Sequence, residues 1–211
     1  MADPGIVIIG SGFAGIGMAI KLKEAGYQDF VILEKAGDLG GTWRDNTYPG
    51  CACDVPSHMY SFSYALNPGW SRMFSPQEEI WDYLRSCADR YGITPHIRYD
   101  QEVVGLEYDD ARRGWDVTVG DGRVIHTNAV ISGIGALHIP KFPEIRGRET
   151  FTGPAFHSAQ WDHSVDLTGK RVAVIGTGAS AVQFVPQLAK QVSELVLFQR
   201  TPPWIHPKPD A

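Results

Sequence analysis

Residues 6–34 constrain this chain more than any other stretch. Ile6-Val7-Ile8-Ile9 is a short apolar run and reads as a buried strand. Gly10-Ser11-Gly12-Phe13-Ala14-Gly15 follows at once, and a helical pattern continues through Leu22. Strand, glycine turn and helix in that order open a dinucleotide-binding βαβ unit. The glycines permit a tight turn, close approach of backbone to a pyrophosphate, and close helix–strand packing. The helix N-terminus adds free N–H groups and partial positive charge for the phosphates. Asp29-Phe30-Val31-Ile32-Leu33 reads as the next strand and ends in Glu34. Glu34 stands about 20 positions after the turn, where an acid meets the ribose hydroxyls of an adenosine.

The pattern returns late in the chain. Arg171-Val172-Ala173-Val174-Ile175 is a second strand, and Gly176-Thr177-Gly178-Ala179-Ser180-Ala181 a second turn, with Ala181 in place of the third glycine. A helix is expected to about Gln191, then a strand over Leu195–Phe198 ending in Gln199-Arg200-Thr201. Equal spacing from the first glycine of each turn puts Arg200 where Glu34 stands. An acid accepts hydrogen bonds from a free 2′-hydroxyl and repels a 2′-phosphate, whereas arginine offers that phosphate a planar fork of donors. The first turn is therefore expected to take FAD and the second NADPH. The fold class is α/β with two Rossmann-type dinucleotide-binding domains, the second truncated. Residues 1–140 are expected to form the FAD domain, 141–170 an inter-domain linker, and 171–211 the start of the NADPH domain.

Between the repeats the signals are more local. A long polar, glycine-rich loop is expected from Lys35 to Asp54. Within it, Gly40-Gly41 lets backbone lie against a ligand and Trp43 can cover a flat ring system. Ser75-Pro76-Gln77-Glu78 reads as a helix start, with Ser75 as N-cap and Glu78 completing a capping box. That helix buries Ile80, Tyr83, Leu84 and Cys87 and should end near Tyr91-Gly92. Strands are expected over Glu102–Tyr108, Trp115–Val119 and Arg123–His126, with a hairpin turn at Gly120-Asp121-Gly122. Ala129-Val130-Ile131 is a further strand that runs into Ser132-Gly133-Ile134-Gly135, small residues that allow close approach to a cofactor.

A net charge of −5 argues against a general binder of nucleic acid or anionic membrane. No apolar run is long enough to span a bilayer, and no basic-then-apolar leader opens the sequence. Three cysteines suit a reducing cytosol, and Cys51-Ala52-Cys53 lacks a second pair at zinc-like spacing, so no metal site is expected.

Gly40-Gly41-Thr42-Trp43, Tyr48-Pro49-Gly50 and Asp54 together resemble the flavin-side motif of Baeyer–Villiger monooxygenases. Phe151-x-Gly153-x-x-x-His157-x-x-x-Trp161-Asp162 matches that family's fingerprint and lies, as in the family, just before the second glycine turn. Flavin-containing N- and S-oxygenases have a related fingerprint that usually lacks the Trp-Asp ending. The resemblance implies that NADPH reduces FAD, that the reduced flavin reacts with O2 to a C4a-peroxide, and that a ketone becomes an ester or lactone. It implies FAD contacts from Gly10, Ser11, Gly12, Phe13, Ala14, Gly15, Glu34, Lys35, Gly41, Thr42, Trp43, Tyr60 and Gly135, with Val103 meeting the adenine through its backbone. It implies NADPH contacts from Gly176, Thr177, Gly178, Ala179, Ser180, Arg200 and Thr201. Asp54 would stand near flavin and nicotinamide, and His157 would act as a hinge. Family members continue well past position 211 and carry there a catalytic arginine, which no residue here can be assigned. On this reading the chain is an N-terminal portion without turnover of its own, its partners a small-molecule ketone and O2, its location cytoplasmic. A disulfide reductase is disfavoured because those carry a C-x4-C pair, unlike Cys51 and Cys53. A non-catalytic FAD-binding module is the remaining alternative.

Overall fold

The computed structural model describes residues 3–206; the outermost residues of the expected domain ranges, 1–2 and 207–211, lie outside the described residues. Contacts gather the chain into two compact units, Met1–Arg44 with Trp81–His138, and Asp45–Ile80 with Ile139–Ala211. Residues 45–80, expected within the range 1–140, thus cluster with the second half of the chain, as does the stretch 141–170 expected to be a linker.

The first unit is built on β1 (Ile6–Ile9), α1 (Phe13–Glu24) and β2 (Phe30–Leu33). All four residues of β2 are buried, which suits a parallel strand covered on both faces. α2 is a single turn, Thr42–Asp45, inside what the sequence suggests is an unbroken loop. α3 spans Gln77–Arg90, and Gly92 follows with φ +62°, the left-handed residue that ends a helix. Its start departs from expectation: the helix begins at Gln77, and the Ser75 hydroxyl pairs with that of Ser57 at 2.7 Å instead of opening a capping box with Glu78. A two-residue strand, β3 (Ile97–Arg98), carries no sequence signal of its own. β4 (Val103–Asp109), β5 (Gly114–Val119) and β6 (Val124–Thr127) form an antiparallel meander, with the expected turn between the last two. β7 (Ala129–Ser132) then returns to the parallel sheet, whose order is β3-β2-β1-β7. β1 is therefore central: Val7 pairs with Val31 on one side and Val130 on the other. Val7, Val31 and Leu33 share a core with Val117, Val119 and Ile125 of the meander.

The second unit carries β8 (Arg171–Ile175), α4 (Ala179–Leu188) and β9 (Glu194–Phe198), with β8 and β9 paired in parallel. α4 stops at Leu188, short of the expected Gln191. Pro186 lies in its last turn, where it removes one backbone donor. Val174, Ala181, Phe184 and Leu188 bury together with Tyr48 and Cys51 from the other part of the unit. Among the described residues no helix is long and apolar enough to cross a membrane.

Candidate functional site

The first glycine turn is held by the protein's own backbone. Gly10 has φ +89°, and its N–H donates to the Leu33 carbonyl at 2.8 Å, tying the turn to the end of β2. A Cβ on Gly15 would lie 1.8 Å from the Gly10 carbonyl oxygen, so only glycine permits α1 to start this close to β1. Gly133 belongs to the same knot, since its Cβ would crowd Ile9 and Gly15 backbone at 3.0 and 3.1 Å. Gly135 is the residue of this stretch that the sequence led us to expect against a cofactor. Gly135 has φ +72° and open space around it. The Gly40–Gly41 segment lies on this turn: Gly40 N–H donates to Ser11 O at 3.0 Å, and a Cβ on Gly12 would meet only the Gly41 Cα, at 3.8 Å. Gly12 thus has room that no protein atom uses, at the N-cap of α1 where free N–H groups collect.

Glu34 sits at the end of β2 with 4% of its surface exposed. Its carboxylate accepts from the Ser11 amide (2.9 Å), the Ser11 hydroxyl (2.7 Å), the Ala36 amide (3.0 Å) and Arg44 Nη1 (3.0 Å). Burial alone would raise its pKa. The Ser11 hydroxyl, the two amides and the Arg44 charge outweigh it and hold the carboxyl below its ordinary value. Arg44 is the residue that sequence reasoning missed. It follows directly on the Gly-Gly-Thr-Trp motif, and its Nη1 also donates to the Asp38 carbonyl at 2.5 Å. Trp43 beside it is buried, while Thr42 and Lys35 are exposed. Lys35 lines a shallow pocket with Asp100, Gln101 and Gly120. Val103 is half-buried against the core that contains Val7 and Val31. Phe13 opens α1 and stacks against Tyr83.

The second turn repeats the first with one shift. Gly176 has φ +107°, and its N–H donates to the Phe198 carbonyl at 2.8 Å, as Gly10 does to Leu33. The register pairs Ile9 with Leu33 but Ile175 with Phe198, one residue less of chain between the partners. The residue directly after β9 is Gln199, so Gln199 stands where Glu34 stands and Arg200 where Lys35 stands. Equal counting along the sequence therefore misplaced Arg200 by one position. The chemical contrast survives in another form: a neutral side chain replaces the acid, and an exposed arginine follows it. Gly178 is the N-cap of α4, with no atom within 4 Å of a Cβ placed there. Thr177 and Ser180 are half-buried; Ala179 and Thr201 are exposed.

Asp54 is exposed, two residues after Ala52, which bridges to Pro76. Tyr60 is half-buried and donates its N–H to Ser57 O at 2.9 Å, closing a 3-10 turn. His157 caps another such turn, its Nδ1 accepting from the Ala159 amide at 3.1 Å, with its ring edge-on to Phe142. Cys51, Cys53 and Cys87 are buried thiols outside any disulfide, and no metal-binding cluster occurs among the described residues.

Comparison with known proteins places this geometry. Residues 7–211 match the profile of the pyridine nucleotide-disulphide oxidoreductase family, and the chain belongs to that family. It is 53% identical over 205 residues to a Baeyer–Villiger monooxygenase of Streptomyces coelicolor, a match covering 97% of this chain and 39% of that protein. It superposes on OTEMO in complex with FAD and NADP with a TM-score of 0.91 at 36% identity, over 100% of this chain and 42% of the other. It superposes likewise on ε-caprolactone-bound cyclohexanone monooxygenase, with a TM-score of 0.92 at 36% identity and the same coverage. The resemblance read from the fingerprint is thus borne out, and the chain spans about two-fifths of the length of these relatives.

Proposed function

We propose that this chain holds FAD at the Gly10–Gly15 turn and NADPH at the Gly176–Ala181 turn, and serves the oxygenation of a ketone to an ester or lactone. One observation carries the reading. Both turns keep a glycine, Gly12 and Gly178, at a helix N-cap where a Cβ would meet no protein atom closer than 3.8 Å. Neither glycine is needed for packing, so the space suits a phosphate approaching free N–H groups. The residues present fit both dinucleotides: a buried acid beside the first turn accepts ribose hydroxyls, and Gln199-Arg200 beside the second offers donors without repelling a 2′-phosphate. Ser11 and Arg44 orient the Glu34 carboxylate. Thr42 and Trp43 would line the flavin side, Gly135 and Val103 would complete that site, and Asp54 in the other unit would face the nicotinamide held at the second turn. FAD supplies redox and oxygen chemistry when bound, and the protein's part is to bind, orient and keep water out.

The whole activity belongs to a longer assembly of residues in the relatives, so ketone and O2 as co-substrates, FAD and NADPH as cofactors, and a cytoplasmic location are all part of this proposal. Three buried cysteines outside any disulfide support that location. The test is the purified chain with NADPH and, with cyclohexanone added, a full-length relative in which the chain replaces the matching residues. Bound flavin absorbance without turnover is expected of the chain alone, and ketone-dependent NADPH consumption with lactone of the chimera. Sulfoxide from a thioether without lactone from the ketone would point instead to an N/S-oxygenase, and absence of bound flavin would overturn the reading.

A further inference from the structure

The Tyr48-Pro49-Gly50 motif was grouped by sequence with the flavin side, but in the structure it lies along one face of α4. Ser180, Gln183, Phe184 and Gln187 recur at the i, i+3, i+4, i+7 spacing that aligns residues on a helix face. Each meets the loop. The Tyr48 hydroxyl donates to Gln183 Oε1 at 3.0 Å, the Ser180 hydroxyl is near enough to lower its pKa, and its ring packs edge-on to Phe184. Gly50 has φ +78°, and a Cβ on it would come within 3.0 Å of the Gln183 carbonyl and of Gln187 Cγ. The Gln183 carboxamide treats Ala52 as a neighbouring strand would, accepting from its N–H at 3.3 Å and donating Nε2 to its carbonyl at 2.8 Å. The loop's next bonds lead away from α4: Gln77 N–H donates to Cys51 O and Cys53 N–H to Ser75 O, both at 2.9 Å. Asp54 is the first residue beyond this doubly held segment. Its charge reaches the Tyr48 phenol, whose pKa is raised by burial first and by Cys51 and Asp54 as well.

We propose that Gln183 is a positioning residue through which the helix after the second glycine turn holds the loop that carries Asp54, so that a dinucleotide bound at that turn fixes Asp54. The inference rests on the second turn's receiving NADP(H). Ser180 and Gln183 stand on the first two turns of the helix whose N-terminus would meet the phosphates. Ordering those turns orders the loop through bonds already present.

The thiols report the loop. Cys51 and Cys53 are buried in the held segment, whereas Cys87 is buried in α3, so labelling of each follows local opening. The full chain is treated with iodoacetamide with and without saturating NADP+, and each cysteine is read by peptide mass. In the unsubstituted chain NADP+ should slow labelling of Cys51 and Cys53 and leave Cys87 unchanged. Gln183→Leu should speed both without nucleotide by about tenfold, the change that ~1.4 kcal/mol of lost hydrogen bonding gives, and should abolish the NADP+ effect. Gln183→Glu keeps the acceptor and loses the Nε2 donor, so it should fall between. It also carries the test if the leucine variant fails to fold. Calorimetry run alongside separates the two ideas. Absence of NADP+ binding to the unsubstituted chain defeats the second-site reading. Binding without protection of Cys51 and Cys53, or protection that persists in both variants, overturns the role of Gln183.

Discussion

The two glycine turns share a backbone path but differ in what demands their glycines. At the first, Gly15 and Gly133 are dictated by the protein, because a single added carbon would collide with main-chain atoms that form β1 and its turn. At the second, the third position is already Ala181, buried among Val174, Phe184 and Leu188. A Cβ on Gly178 would meet nothing within 4 Å, and Gly176 is required by its φ of +107° and not by any close neighbour. The acid position differs likewise. Glu34 is buried and bonded on both oxygens, whereas Gln199 and Arg200 are exposed. One turn is specified by its own packing, the other by what it leaves open.

Substitution at the glycines should break this contrast if it is false. Gly15→Ala should cost about 4 kcal/mol or more, in the range reserved for severe steric conflict, and chemical denaturation would show it. Gly178→Ala should cost less than about 1 kcal/mol in the same measurement, while weakening NADP+ binding. Equal costs would end the distinction.

Next in size is Glu34→Gln, which leaves Arg44 facing a neutral partner and should cost about 3 kcal/mol at neutral pH. The acid limb sharpens the test. The Glu34 carboxyl is held below its ordinary value of 4.5, so its contribution is complete above that pH and is lost as pH falls through the folded-state value. Stability of the Gln variant should therefore fall less steeply between neutral pH and the acid limb. An unchanged slope would mean the carboxylate is not held by Ser11, Ala36 and Arg44 as described.

The smallest effect belongs to the exposed side. Arg200→Ala should leave stability unchanged and reduce the preference for NADPH over NADH by roughly tenfold, measured by competitive binding. Were the preference to move on Gln199 substitution and not on Arg200, the reading of the strand end would shift by that one residue.

Much of the first unit is legible because its signals are local. β1, the turn, α1 and β2 follow one another within Ile6–Leu33, and Gly120-Asp121-Gly122 announces the β5–β6 hairpin. What escaped the sequence depends on partners far along the chain. β3 is two residues long and exists because Ile97 finds Ile32. Arg44 and Gln183 belong to no phosphate-binding motif; each matters through a carboxylate or a backbone segment that only the fold brings near. The one-residue offset between Glu34 and Arg200 is of the same kind, since strand register is set by pairing and not by counting.

The place of β7 has a consequence for assembly. β1 ends at Ile9, yet its second edge is covered by Ala129–Ser132, and the Gly133 N–H that donates to the Ile9 carbonyl at 2.8 Å seals the turn. Until residues 129–133 are synthesised, one edge of β1 has no partner, and the meander of β4, β5 and β6 comes off the ribosome before it is covered. Pairing across such a sequence separation is slow compared with local hairpin closure. The earliest stretch of this chain to be recognisable is thus among the last to be finished.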